Sequence, residues 1–126
     1  MLNVFSIFLG GGIGAVARYL VGILYLHILK TNLPAATFCV NFVGCLTLGF
    51  LYIFFIEKTR IPTNLKLALT VGFCGGLTTF STFSLEIFEM IQNSHYVQAS
   101  VYIAASLVLG IAAVFLGGYL CKTFII

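Results

Sequence analysis

The sequence predicts an all-α integral membrane protein of four transmembrane helices, with a break in the third. Three observations carry that fold class. Of 126 residues, 61% are hydrophobic and only 7% are charged, against roughly 25% charged in an ordinary soluble domain. Polar and charged breaks divide the chain into four apolar segments, each near or above the about 20 residues that cross a roughly 30 Å hydrocarbon core. The third segment carries a run of glycines and hydroxyl residues where an uninterrupted hydrophobic helix is expected. The whole chain reads as one domain.

The first segment spans residues 2–29 and ends at Lys30, Thr31, Asn32 and the turn-favouring Pro34. It lacks a basic n-region and an A-x-A-like cleavage site, so it is expected to stay in the mature protein. Its glycines, Gly10-Gly11-Gly12-Ile13-Gly14, fail as a dinucleotide fingerprint because no strand precedes them and no βαβ unit fits this chain. Small residues four apart suit close helix contact instead. Arg18 is a permanent charge inside a span, and it must reach an interface, a partner or a watery vestibule.

The second segment spans residues 35–56 and ends at Glu57, Lys58, Thr59 and Arg60, with Pro62 in the loop that follows. Thr37 and Asn41 are four residues apart and point the same way, and Gly44 allows a close approach beside them. Two readings of Asn41 stand: a hydrogen bond to a neighbouring helix, or donation to an anion through its NH₂.

The third segment, residues 65–90, contains Gly72-Phe73-Cys74-Gly75-Gly76-Leu77-Thr78-Thr79-Phe80-Ser81-Thr82-Phe83-Ser84. Glycine loses the most backbone entropy on ordering, and Ser and Thr compete for backbone hydrogen bonds, so a break is expected between Gly75 and Thr79. Non-helical backbone at membrane depth persists only where protein buries it or it lines a watery cavity. There its freed carbonyls can hold a cation and its freed N–H groups can face an anion. A Gly-rich helix packed tightly on a neighbour is the plainer alternative. Phe80 and Phe83 follow on one face. Glu86 and Glu89 lie toward the segment's end, where solvation or pairing is the ordinary expectation.

A turn at Gln92, Asn93, Ser94 and His95 leads into the fourth segment, residues 97–120, closed by Lys122. Tyr102 and Ser106 form another pair of hydroxyls at helical spacing.

The net charge of +3 is scattered, with no basic run to track a phosphate backbone, which argues against a nucleic-acid partner. Four spans put Lys58, Arg60, Lys66 and Lys122 on one side and only Lys30 and His95 on the other, so the termini are expected in the cytoplasm. Cys39, Cys45, Cys74 and Cys121 form no C-x-x-C pair and read as small packing residues. His27 and His95 lack ligand partners and no nucleophile–base pair is visible, so the chain is not expected to be an enzyme.

The residues resemble the CrcB/Fluc fluoride channels along nearly the whole chain. The likeness rests on Gly11-x-x-Gly14-Ala15-x-x-Arg18-Tyr19, on Asn41-x-x-Gly44, and on the long run from Gly72 to Phe83. It implies an antiparallel, dual-topology dimer in the cell membrane, either a homodimer or a pair with a paralogous subunit, exporting fluoride passively. It further implies a structural sodium ion (Na+) at the dimer centre on the carbonyls of Gly75 and Thr78. Pore roles fall on Asn41, Phe80, Phe83, Ser81, Thr82, Tyr102 and Ser106, with Arg18 drawing anions to a vestibule. One departure is Gly110, where a further hydroxyl is expected. Two competing readings are a small four-helix drug exporter, which calls for an acidic residue in the early spans, and a non-transporting membrane scaffold.

Overall fold

A computed structural model of the protein describes residues 1–29, 34–58 and 60–125. Lys30, Thr31, Asn32 and Thr59, assigned above to segment ends, lie outside the described residues. The elements in order are α1 (Leu2–Leu29), α2 (Ala35–Glu57), α3 (Thr63–Leu67), a π-helical stretch (Ala68–Cys74), α4 (Gly75–Leu77), α5 (Phe80–Gln92) and α6 (Tyr96–Ile125). Among the described residues four spans are long and apolar enough to cross a membrane, the third running from Thr63 to Gln92. The protein is therefore a multi-pass membrane protein. The fourth helix runs past Lys122 to Ile125, so that lysine sits in its last turn, where a cation complements the helix dipole.

The four spans pack as two pairs of parallel helices. α1 lies against the first half of the third span through reciprocal glycines. A Cβ on Gly14 would overlap the Phe73 carbonyl oxygen, one on Gly76 would overlap that of Gly11, and one on Gly72 would stand 2.9 Å from that of Ile7. α2 lies against α6 in the same manner, with Gly49 against the Val114 carbonyl and Gly117 against that of Leu46. Helices in lipid gain no hydrophobic drive from associating, so close backbone approach through small residues holds them together. The buried set fits this, since it contains Ala99, Ala113 and Cys121 and few large side chains. Phe, Leu and Ile cover the outer faces, as hydrocarbon contact requires.

Gly49→Ala is expected to destabilise the protein by about 1–3 kcal/mol, because the new methyl meets backbone that cannot swing aside. Thermal melting in detergent checks it, and an unchanged midpoint would mean that α2 and α6 pack less closely than described.

Lys66 Nζ donates to the Phe55 carbonyl at 3.4 Å and lies 5.7 Å over the Phe55 ring, which ties α3 to the end of α2. The turn between α5 and α6 is built on Ser94 at φ 60°, with the His95 N–H donating to the Met90 carbonyl at 2.8 Å.

The third span breaks at Thr78 and Thr79, both in extended conformation (ψ 155° and 124°). Of the two expected causes, glycine entropy and hydroxyl competition, the second acts here. Gly75 and Gly76 stay helical and no glycine has positive φ among the described residues. Gly72 and Gly76 serve packing on α1, and the hydroxyl residues make the break. Thr79 acts as the N-cap of α5, its Oγ1 accepting from the Thr82 N–H at 3.2 Å.

Candidate functional site

Asn41 holds the break open. Its Oδ1 accepts from the Thr79 N–H at 2.8 Å and its Nδ2 donates to the Thr79 carbonyl at 3.1 Å. The carboxamide thus takes up the N–H that Thr79 frees by leaving the helix and adds a donor to its carbonyl. The exchange releases particular acceptors. In a continuous helix the Thr79 N–H would bond the Gly75 carbonyl and the Thr82 N–H that of Thr78. Those donors go instead to Asn41 and to Thr79 Oγ1.

The break opens on a groove of about 370 Å³ between α2, the third span and α6. Asn41, Phe80, Phe83, Ser106, Gly75 and Thr78 all line it, and no charged side chain among the described residues does. α2 and α6 run in fixed register along it, with Cys45 beside Gly110, Gly49 against Val114 and Ile53 beside Gly118. Carried back by one and two turns, this register sets Asn41 level with Ser106 and Thr37 level with Tyr102.

Ser106 differs from the other hydroxyls of the long helices. Ser6, Thr47, Ser84, Ser100 and Thr123 each donate to the carbonyl four residues earlier, at 2.8–3.0 Å. Ser106 Oγ is buried and has no hydrogen-bond partner among the described residues. A buried hydroxyl left unpaired costs roughly 1–3 kcal/mol. Phe83 meets Tyr102 edge-on at 5.0 Å between ring centroids and Phe80 at 5.9 Å. Phe80 itself is 80% exposed.

The structure does not gather every residue singled out from the sequence. Ser81 and Thr82 are exposed and do not line the groove; they surround Thr79, whose Oγ1 lies 3.3 Å from Ser81 Oγ and donates to Thr82 Oγ1 at 3.1 Å. Tyr102 stands behind Phe83, and its hydroxyl donates to Glu86 Oε2 at 2.7 Å. Arg18 is half-buried, one turn beyond the contact of Gly14 with Phe73, and it does not line the groove.

Sequence reasoning named Thr37 and Glu86 separately, with pairing as one expectation for Glu86, but did not join them. Thr37 Oγ1 donates to Glu86 Oε1 at 2.6 Å, so this carboxylate joins α2, α5 and α6 at one end of the groove. Glu89 stays exposed, as expected for an end-of-span carboxylate.

Residues 5–118 match the family described as CrcB-like protein, Camphor Resistance (CrcB). The chain belongs to that family. It is 44% identical over 117 residues to the fluoride-specific ion channel FluC of Phocaeicola vulgatus, covering 93% of this chain and 96% of the relative. The channels of the same name from Hydrogenobaculum sp. and Gloeothece citriformis are 41% and 43% identical, covering 94% and 97% of this chain and 97% and 98% of their own lengths. The CrcB match thus takes in the groove, the break and both helix pairs.

Proposed function

We propose that two copies of this chain, antiparallel in the cell membrane, enclose a passive pore through which fluoride leaves the cytoplasm. The observation that carries the reading is the groove: uncharged, flanked by donors, open on one side, with the Ser106 hydroxyl unpartnered in its wall. Fluoride is small and tightly hydrated, so a route for it must replace water with several neutral donors and hold no fixed charge that would trap the ion. The free proton of Asn41 and the hydroxyl of Ser106 stand at one level along the route. The ring edges of Phe80 and Phe83 add the positive part of their quadrupoles. The N-terminus of α5, a 13-residue helix, opens on the same groove and contributes partial positive charge. Each chain supplies one wall, and a second copy facing it covers Phe80. Arg18 draws anions toward a vestibule, and the lipid bilayer seals the rest.

Export needs no coupled energy when weak-acid entry has concentrated the anion inside and the potential there is negative. A cationic drug would need a carboxylate in the groove, and none lines it among the described residues. A scaffold would have no use for an unpaired buried hydroxyl. The four-to-one basic bias favours one orientation, which leaves a dual-topology homodimer or a paralogous partner. Purified protein in liposomes tests the proposal: selective fluoride efflux over chloride supports it, and liposomes that retain fluoride would refute it while leaving the family assignment intact.

Under the same proposal a structural sodium ion sits at the centre of the dimer on the Gly75 and Thr78 carbonyls of both copies. Both are among the acceptors that lose their helical donors at the break, and a hard cation prefers such oxygens. Gly75 supports it further, since a Cβ built there would meet nothing within 4 Å, leaving its surroundings open. Replacing sodium with N-methylglucamine is expected to lower the melting temperature and dissociate the dimer in detergent. A dimer equally stable without sodium would remove the ion.

A further inference from the structure

We propose that Cys45 and Cys74 form a two-thiol site for a soft monovalent cation of the Ag+ class, and that its occupation closes the groove. The proposal rests on the channel reading for its second half only. α2 and the third span meet in antiparallel register. Asn41 pairs with Thr79, and Gly44 abuts Thr78, whose Cγ2 would overlap a Cβ there. One turn along α2 from Asn41 is Cys45, and one turn back from Thr78 is Cys74, so the two thiols occupy the next level of that contact. Both line the groove.

The level is otherwise bare. Gly110, where a hydroxyl was expected, has no side chain, and its Cβ position is 3.8 Å from Cys45 Sγ. The thiols are therefore the sulfur donors of a short stretch that no oxygen side chain of α6 reaches. Soft d¹⁰ cations prefer sulfur and accept two ligands, whereas neither thiol competes for a hard ion such as sodium. Binding balances as two thiols plus Ag+ giving a neutral thiolate–silver–thiol complex and one released proton. Neutrality suits a site at membrane depth, where an uncompensated charge is costly.

The test uses the full chain with Cys39→Ser and Cys121→Ala as parent, because exposed Cys39 and fully buried Cys121 would otherwise add background. Silver nitrate is the probe, in chloride-free nitrate medium. Silver retained after gel filtration is counted by mass spectrometry, and fluoride efflux from liposomes is measured before and after addition. The parent is expected to hold about one silver per chain, with efflux falling at least about tenfold and recovering on addition of dithiothreitol. Cys45→Ser, Cys45→Ala or Cys74→Ala should each hold less than about a tenth as much and show no silver-dependent fall relative to its own silver-free rate. Equal uptake by the parent and a Cys45 variant overturns the site. Uptake with unchanged efflux overturns its position in the conducting groove. A parent that passes no fluoride before silver is added counts against the channel reading alone, because the silver count needs no efflux.

Discussion

Replacing Asn41 with Asp is expected to lower fluoride efflux at least about a hundredfold, roughly 2.7 kcal/mol on the barrier. Two losses combine. Asp keeps an acceptor for the Thr79 N–H but sets a second oxygen against the Thr79 carbonyl, where Nδ2 now donates at 3.1 Å. The carboxylate also repels the anion. Asn41→Ala separates the two, since it removes the clamp and adds no charge. An equal loss in both variants assigns the effect to the clamp, and a smaller loss in Ala assigns the remainder to repulsion. Wild-type efflux through Asn41→Asp would show that Asn41 neither touches the route nor holds it open.

Phe80→Ile and Phe83→Ile should each reduce efflux by at least about tenfold, or 1.4 kcal/mol and more on the barrier, because Ile keeps apolar bulk and loses the ring's positive edge. Their stability readouts should differ. Phe83 packs edge-on against Tyr102, a contact worth about 0.5–1.5 kcal/mol beyond its buried area, so Phe83→Ile should also melt lower. Phe80 is 80% exposed within its own chain, so its replacement should leave the fold of each subunit as stable as before. Wild-type rates through both variants, with dimers intact, would reduce these rings to packing.

The four spans were legible because hydropathy and length decide them together, and the structure shifts their ends by only a few residues. The turn before the fourth span was equally plain from its polar run. The break was legible in place but not in cause. Glycine and hydroxyl residues crowd the same stretch, and composition alone cannot say that Gly76 serves α1 while Thr79 leaves the helix. The agent that fixes Thr79 is Asn41, 38 residues away. Distance along the chain also hid Glu86, whose partner Thr37 lies 49 residues off; one carboxylate near a span end looks like any other until its neighbours are known. Nothing in the residues from Ala68 to Cys74 announces a π-helical turn. Ser106 was visible as a hydroxyl, but its failure to bond back to its own helix is a property of coordinates.

The two halves of the third span are fastened to different neighbours. The half up to Leu77 is locked into α1 by glycines that admit no slack. The half from Phe80 is pinned to α2 and α6 by the two hydrogen bonds of Glu86. In mechanical terms these are two stiff bodies joined by a short coupling, the peptide units of Thr78 and Thr79, with the Asn41 carboxamide acting as its brake. Shear between the bodies has nowhere else to go, so tension or thickness changes in the surrounding bilayer will register first as rotation at those two residues.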